Sequence, residues 1–512
     1  MEKELKLQVT AGKASQIMHA PAVSRLLDGS ADSSDLVSTY FDTPEMYLRG
    51  NGASLRVRAV GEQRVQTLKL EGSVTAGLFA RDEFECPVNG DRPDLDALLA
   101  LVPKDSKAIH ILSEPDLAAR LEPLFLTRIN RCAATLQLPD GTELELAMDD
   151  GAVEAAAGAS APIHGVELEL KKGDPEQLYN LALALLHDIP LRIDHLSKAD
   201  RGYGLLVQEQ ITAVRAEPLK LKRRDTVEEA FQAIARNCLA QVHGNERGVV
   251  FGQDPSSVHQ MRVGLRRLRS ALDLFSPVIS APADFDSELR WIAGELGQAR
   301  DWEVLAGTTL KKALASAASD ADATAVHQAA QKIATENRKA AVAAVNSVRY
   351  TRLIIQFTLW IDQKGWRTGQ SKKSLKALEH RITSFASETL KRRHEKLLQR
   401  GHGLAELDDE TRHRARIAAK KLRYATEFFS SLFDRREVKR YITALSDLQD
   451  DLGWRNDVVV ASGLLRSLGE SKPETAAGAG FARGYLASHA VADHDAMKAL
   501  WKRFSRLAVP QH

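Results

Sequence analysis

The sequence predicts a multidomain α+β chain: an antiparallel barrel of short strands with flanking helices, then an all-helical domain. Three observations carry this. From residue 1 to about 205, apolar and charged residues alternate with period two, the period of a strand. After residue 220 the apolar residues recur at helical spacing and no strand pattern remains. Within that second part, a block of residues recurs at an offset of 154. The expected boundaries are 1–205 for the barrel, 206–217 for a connecting segment and 218–512 for the helical domain, with repeat units of about 225–375 and 376–512.

Charge supports the division. Over 512 residues the formal net charge is +2. Residues 1–210 hold 21 Lys+Arg against 33 Asp+Glu, a net of −12; residues 211–512 hold 49 against 35, a net of +14. An acidic half suits cations and a basic half suits a polyanion. No run of about eighteen apolar residues occurs, so no transmembrane helix or membrane partner is expected. The opening lacks the apolar run of a signal peptide. Cys86, Cys132 and Cys238 are odd in number and lack metal-ligand spacing, which suits a reducing cytoplasm.

In the first half, Glu2, Glu4 and Lys6 share one strand face, with Leu5, Leu7 and Val9 behind. Gly50-Asn51-Gly52 turns the chain into Leu55-Arg56-Val57-Arg58, with both arginines on one side. Gln66 to Leu70 alternates in the same way and includes Lys69. Arg81, Glu83 and Glu85 lie together opposite Phe84. Pro93 to about Val102 reads as a short helix. Phe125 to Leu138, with Arg128 and Arg131, pairs with Glu143 to Met148 around Pro139-Asp140-Gly141. Gly151 to Pro162, rich in Ala and Gly, reads as a mobile loop. Glu167, Glu169 and Lys171 then repeat the opening design.

A single charged strand face reads as a solvated edge. Five such strands, each with apolar residues behind, read instead as the inner wall of a closed barrel, where carboxylates and cations converge on one wet cavity. Buried charges persist when paired, solvated or metal-bound. Clustered carboxylates suit a hard divalent cation and clustered Arg and Lys suit phosphate oxygens. Together they describe a site for a metal–polyphosphate complex.

The ordered set Glu2-x-Glu4-x-Lys6, Tyr40-Phe41-Asp42-Thr43-Pro44, Leu55-Arg56-Val57-Arg58, Arg81-x-Glu83-x-Glu85, Glu167-x-Glu169-x-Lys171 and Ser197-Lys198-Ala199-Asp200-Arg201-Gly202 resembles the CYTH, or triphosphate tunnel metalloenzyme, domain. The resemblance implies an eight-stranded antiparallel tunnel that hydrolyses a triphosphate chain with Mg²⁺ or Mn²⁺. It implies Glu2, Glu4, Asp149, Glu167 and Glu169 as metal ligands. It implies Lys6, Arg56, Arg58, Lys69, Arg81, Arg128 and Lys198 as the triphosphate cradle, and Glu2, Glu4 and Lys6 as the catalytic group. Alternation puts Arg131 on the face opposite Arg128 unless a bulge intervenes. Glu83 and Glu85 stay open between metal binding and charge balance.

In the second half, Asp225-Thr226 can cap a helix from Val227. Residues 258–269, VHQMRVGLRRLR, align with 412–423, RHRARIAAKKLR; Phe231 with Phe385 and Asp254 with Asp408 keep the same offset. At about 100° per residue, His259, Arg262, Arg266 and Arg269 fall within roughly 80° of one another, with Leu265, Leu268, Leu272 and Phe275 on a separate face. His413, Arg416, Lys420 and Arg423 reproduce the stripe. A solvated face ordinarily mixes signs; two matched stripes of cations read as a polyanion surface. Lys391, Arg392, Arg393, Lys396 and Arg400 add charge nearby.

These residues, with Leu296-Gly297-x-x-Arg300-Asp301, resemble the CHAD domain. The resemblance implies two four-helix bundles related by a pseudo-twofold and binding of long-chain inorganic polyphosphate by the eight stripe residues. The two histidines are expected to donate to phosphate, against a structural role. Nucleic acid is disfavoured, because no stacking aromatics or known recognition motif accompany the stripe.

The expected function is a cytoplasmic, metal-dependent inorganic triphosphatase acting on tripolyphosphate, associated with polyphosphate granules through its helical half. The competing readings are a non-catalytic polyphosphate receptor, a nucleic-acid-associated protein, a nucleotide or thiamine triphosphatase, and a class IV adenylate cyclase.

Overall fold

Contacts between Cα atoms divide the chain into two units, Met1–Gln210 with Asn346–Leu359, and Ile211–Val345 with Trp360–His512. The computed structural model describes every residue except 10–14, 156–157, 208–210, 253, 316–320, 491–493 and 512.

The first unit is built on β1 (Glu2–Val9), β2 (Asp32–Asp42), β3 (Ala53–Val60), β4 (Gln63–Leu70), β5 (Ser73–Thr75), β6 (Leu78–Arg81), β7 (Glu83–Pro87), β8 (Glu122–Gln137), β9 (Glu143–Ala155), β10 (Ser160–Lys172) and β11 (Leu191–Ile193). They form one curled antiparallel sheet in the order β5-β6-β1-β10-β9-β8-β2-β3-β4-β7, with β11 against β1. The ends of that path meet through the chain itself. β6 pairs with β1 (Glu2 opposite Arg81), and β7, one residue later, pairs with β4 (Lys69 opposite Glu83). The intervening Asp82 carbonyl accepts from Leu70 N–H at 3.0 Å. One bent strand thus joins both ends of the sheet, leaving a ring of eight with no long free edge.

The ring is polar inside and apolar outside. Leu55, Val57, Leu68 and Leu70 bury outward against the short helices Leu95–Leu99 and Lys107–Leu112. Leu5, Leu7, Val166 and Leu168 are buried on the side where the helix Glu176–Asp188 contacts β1 and β10, and that helix buries Leu178, Leu181 and Leu185. Because strand side chains alternate, covering the leucines outside turns their charged neighbours inward.

The segment expected as a loop over 151–162 is largely ladder. β9 runs to Ala155 and β10 starts at Ser160, with Gly151 opposite Ile163 and Ile129. Gly151 explains the composition: a Cβ there would stand 2.0 Å from the Arg128 carbonyl oxygen, so the close approach of β8 excludes a side chain. Residues 156–157 lie outside the described residues.

The second unit is helical, with no named strand among its described residues. Thr226 caps Val227–His243 through a reciprocal capping box with Glu229. The first basic helix is Ser256–Phe275 and the second Asp409–Phe429, the latter capped by Asp408. The bundles do not coincide with the sequence repeats. Phe231, Phe275, Phe385 and Phe429 form one aromatic cluster, with centroids 4.8 Å apart for Phe275–Phe385 and 5.3 Å for Phe231–Phe275. It joins Val227–His243 and the first basic helix to Ile382–Arg400 and the second. A second core joins Ala283–Val304 and Ala321–Val345 to Arg435–Ser471 and Ala476–Ala490. Each bundle therefore takes two helices from each repeat. Equivalent helices of the two repeats therefore lie in the same bundle.

No helix among the described residues is long and apolar enough to cross a membrane.

Candidate functional site

The barrel encloses a cavity of about 330 Å³. β1 supplies Glu2, Glu4 and Lys6; β10 supplies Glu167, Glu169 and Lys171; β3 supplies Ser54, Arg56 and Arg58. Thr67 and Lys69 come from β4, Arg81, Glu83 and Glu85 from β6 and β7, Tyr40 from β2, Arg131 from β8 and Glu145 from β9. Register sets the neighbours: Lys6 lies opposite Glu167, Glu4 opposite Glu169, and Arg131 opposite Asp149.

Lys198 enters from the first turn of the helix Lys198–Leu206, whose start Ser197 and Asp200 fix through a capping box. Arg49 holds Asp200 in an ion pair. Asp42, fully buried, gathers the loop that carries Arg49. It accepts from the backbone N–H groups of Thr43 and Leu48 at 2.7 Å, from that of Arg49 at 2.9 Å, and from the Tyr203 hydroxyl at 2.8 Å. The Asp42-Thr43-Pro44 break in the sequence is thus a scaffold for Lys198.

Charges in the cavity form two networks. In one, Glu167 meets Lys6, Arg131 and Lys198, the last at 2.6 Å. Arg131 also grips Asp149 with two bonds of 2.7 Å, and Lys6 reaches Glu4 at 2.7 Å. Burial alone would raise the Glu167 carboxyl, but Lys198, Lys6 and Arg131 hold it well below the usual range. In the other, Lys69 lies 2.9 Å from both Glu2 and Glu83, and Arg81 bridges Glu2 and Glu4 at 3.2 Å each. Against the cost of burial, Lys69 and Arg81 bring Glu2 down to about 2. Glu83 moves the other way: burial raises it, Lys69 does not compensate, and the hydrogen bond and charge of Glu2 beside it push in the same direction. Glu169 is also raised, by burial and by Glu145 and Glu2 beside it, despite Lys171.

The β3 arginines are different. Arg58 reaches the Ser38 hydroxyl at 3.2 Å, and burial together with Arg56 and Arg131 lowers its guanidinium to about 10. The Nε of Arg56 is buried without a hydrogen-bond partner. Neither makes an ion pair among the described residues. One wall of the cavity therefore carries two cations held in no ion pair, with Glu85 offsetting Arg58 only in part.

The cavity brings together Glu2, Glu4, Lys6, Arg56, Arg58, Lys69, Arg81, Glu167, Glu169 and Lys198. Asp149 lies just behind the wall, 1% exposed, its oxygens taken by Arg131 and Lys198. Arg128 does not belong. It points out of the ring, its side chain 58% exposed and 3.4 Å from Glu154, while Arg131 points in. The β8–β9 register runs without a bulge from Phe125 to Gln137, so alternation holds and it was the choice of inner face that erred. Tyr40, Ser54, Thr67, Glu145 and Ser197 were not foreseen. Counting back by twos from Asp149 would have found Glu145. Glu85 accepts from the Thr67 hydroxyl at 2.8 Å.

In the helical unit a cavity of about 540 Å³ opens between the two basic helices and the helices Ala283–Val304 and Arg435–Ser471. His259, Arg262 and Arg266 line it from the first basic helix, and Arg416, Lys420 and Arg423 from the second. Arg269 and His413 do not line it. Arg269 lies 3.5 Å from Asp286, and the exposed His413 ring lies 3.1 Å from the Asn456 side-chain oxygen. The repeat is broken at the site, because each helix turns a different end of its stripe to the cavity. Arg300, opposite Asn456 in the repeat, adds a cation that the stripes did not include. The π-helical turn Leu305–Thr309 follows directly and contributes Leu305 and Thr309 to the wall; such turns recur at functional sites.

Cations outnumber acids in this cavity: Arg262, Arg266, Arg300, Arg416, Lys420 and Arg423 face Asp301, 3.2 Å from Arg262, with Glu427, Asp450 and Asp457. Burial, then Arg416 and Arg266, push the Lys420 ammonium down to about 7. Burial, then Arg300 and Arg266, push His259 down to about 4. The Nε atoms of Arg266 and Arg416 are buried without partners. Cations held this close cost free energy that an anion between them would recover.

Residues 1–203 match the model of the CYTH domain and residues 233–466 that of the CHAD domain. The chain belongs to the proteins that fuse these two domains. An inorganic triphosphatase of Haemophilus influenzae is 29% identical over 178 residues, 35% of this chain and 47% of that protein, so the match spans about half of its length. An uncharacterized protein of Mycobacterium tuberculosis is 26% identical over 501 residues, 92% of this chain and 90% of that one. The crystal structure of the CHAD domain from the plant Ricinus communis is 37% identical, covering 59% of this chain and 99% of that chain, with a TM-score of 0.53.

Proposed function

We propose that the barrel is a metal-dependent inorganic triphosphatase, hydrolysing tripolyphosphate to phosphate and diphosphate, and that the helical unit binds inorganic polyphosphate. The observation that carries the first part is the division of the cavity wall: seven glutamates face eight cations, yet Arg56 and Arg58 stand in no ion pair among the described residues. A triphosphate laid along β3 and β4 would take Arg56, Arg58 and Lys69, and extend toward Arg81, Lys6 and Lys198. Phosphoryl transfer to water calls for this kind of positioning and charge neutralisation rather than covalent chemistry.

Drawing those cations to phosphate strips partners from the glutamates. Burial and Glu2 raise the Glu83 carboxyl, and Glu169 is raised beside Glu145 and Glu2. An oxygen-only, crowded donor set of this kind fits a hard divalent cation, Mg²⁺ or Mn²⁺, held by Glu2, Glu4, Glu167 and Glu169. When bound, such an ion supplies charge neutralisation at phosphate oxygens and acidifies a coordinated water. Asp149 acts here by orienting Arg131 and Lys198. The only ring in the wall among the described residues, Tyr40, is 5% exposed and stacked on Phe125 at 4.7 Å, which leaves no face for a nucleobase and favours the inorganic substrate.

For the helical unit, the carrying observation is the cluster of Arg262, Arg266, Arg300, Arg416 and Lys420 around one cavity. Its one aromatic residue, Tyr424, is 8% exposed and offers no platform for base stacking, which favours a phosphate chain over nucleic acid.

The test is phosphate release from tripolyphosphate, ATP and thiamine triphosphate, with and without Mg²⁺ or Mn²⁺. Metal-dependent release from tripolyphosphate, abolished by Glu2→Ala or Glu4→Ala, is expected; no turnover of any substrate refutes the enzyme. Reversing Arg262, Arg266, Arg416 and Lys420 to Glu is expected to abolish retention on polyphosphate. Stronger retention on duplex DNA at physiological salt would overturn the polyphosphate assignment.

A further inference from the structure

A groove of about 740 Å³ lies where the first basic helix ends, lined by Asp273, Ser276 and Pro277, and by Arg392, Arg393, Lys396 and their neighbours on the helix Ile382–Arg400. It shares no lining residue with the cavity at His259. Asp273 binds Arg393 at 2.5 Å and Lys421 at 3.1 Å. Two cations thus already converge on one carboxylate, and the Arg393 Nε is buried without a partner. Arg392 and Lys396 add two more charges, while Glu395 is the only other acid among the described lining residues. Their repulsion is felt: Arg400, then partial burial, then Arg393 and Lys421 lower the Lys396 ammonium.

The internal repeat shows that the fold does not need this charge. The two copies of the helix start at Val227 and Ile382, an offset of 155, at which Arg392, Arg393 and Lys396 correspond to Asn237, Cys238 and Gln241, none of them charged. One copy of the helix is uncharged where the other carries three cations. The groove is also placed to continue the first cavity. Lys420 lines that cavity and the next residue, Lys421, reaches Asp273. At 1.5 Å of rise per residue, Asp273 stands roughly 16 Å along the first basic helix from Arg262.

We propose that this groove is a second anion site, taking a further run of the same phosphate chain that the His259 cavity binds. The inference rests on the polyphosphate reading of the helical unit. Two sites on one polymer raise avidity for long chains without raising affinity for short ones, because the second contact is intramolecular. No aromatic residue lines the groove, so a phosphate chain suits it better than a nucleic acid.

The test compares binding of long-chain inorganic polyphosphate by the full-length protein, by Arg392→Glu/Lys396→Glu and by Arg262→Glu/Lys420→Glu. Arg392 and Lys396 are exposed, so the first variant is expected to fold, with an unchanged circular dichroism spectrum. It should lose about tenfold in affinity, as for loss of a charge-assisted contact. The slope of log affinity against log salt should fall by roughly 0.7 for each phosphate contact removed. The neutral pair Arg392→Gln/Lys396→Gln should show the same fall in slope with a smaller loss, separating lost contacts from added repulsion. A wild-type protein that does not bind polyphosphate refutes the parent reading. A wild type that binds, with Arg392→Glu/Lys396→Glu matching it in affinity and slope, refutes the second site alone. Loss confined to single-stranded nucleic acid would make the groove a nucleic-acid surface and overturn the assignment.

Discussion

Replacing Glu167 with Gln is expected to loosen the barrel and to make its stability depend on triphosphate. Glu167 is buried and meets Lys6, Arg131 and Lys198. Taking away its charge leaves three cations facing Glu4 and Asp149 alone, and breaking a buried pair in this way costs about 3–5 kcal/mol. At 1.4 kcal/mol per factor of ten, exchange of the β10 amides through opening should quicken by roughly 10²–10³. An anion that takes over the freed cations should repair much of this; at 100 times its Kd, tripolyphosphate contributes about 2.7 kcal/mol. Hydrogen exchange with and without tripolyphosphate reads both effects. The carboxyl is depressed in the folded state, so its contribution is present above the ordinary Glu range and lost as pH falls through the folded value. Wild type and variant should therefore converge in acid. A cost below 1 kcal/mol, or no differential protection by tripolyphosphate, would show that the network does not hold Glu167 as described.

The two β8 arginines give a sharp contrast: Arg131→Ala should lower triphosphate turnover by at least tenfold, whereas Arg128→Ala should leave it at wild-type level, as steady-state kinetics will show. In the helical cavity, the depressed Lys420 ammonium loses its charge above about pH 7, so polyphosphate affinity should weaken as pH rises from 6 to 8. Binding should take up protons, and calorimetry in buffers of different ionisation enthalpy should show both effects vanishing in Lys420→Met. Truncating Phe275→Ala, at the junction of both repeats, should cost about 3–5 kcal/mol in denaturant unfolding.

The sequence by itself determined the two-part architecture, because period two and period 3.6 are local properties that a chain cannot disguise. It also determined most of the barrel wall. Once leucines at 5, 7, 55, 68 and 168 must be covered, Glu4, Lys6, Arg56, Lys69 and Glu167 have no other side to occupy. What alternation cannot supply is an absolute face for a strand with both sides mixed. β8 carries Arg128 and Arg131 on opposite faces, and only its pairing with β9 and β2 decided which one turns inward. Gly151, read from composition as part of a loop, proved to be a close approach between strands that no single segment reveals. In the helical half the repeat was legible but its assembly was not. Matching Phe231, Phe385, Phe275 and Phe429 shows that two halves are alike, yet only packing shows that each bundle takes a helix pair from each half. That packing also decided which end of each basic stripe faces the cavity, leaving His413 and Arg269 outside and bringing Arg300 in, because the facing of two helices is a property of their contact and not of either sequence.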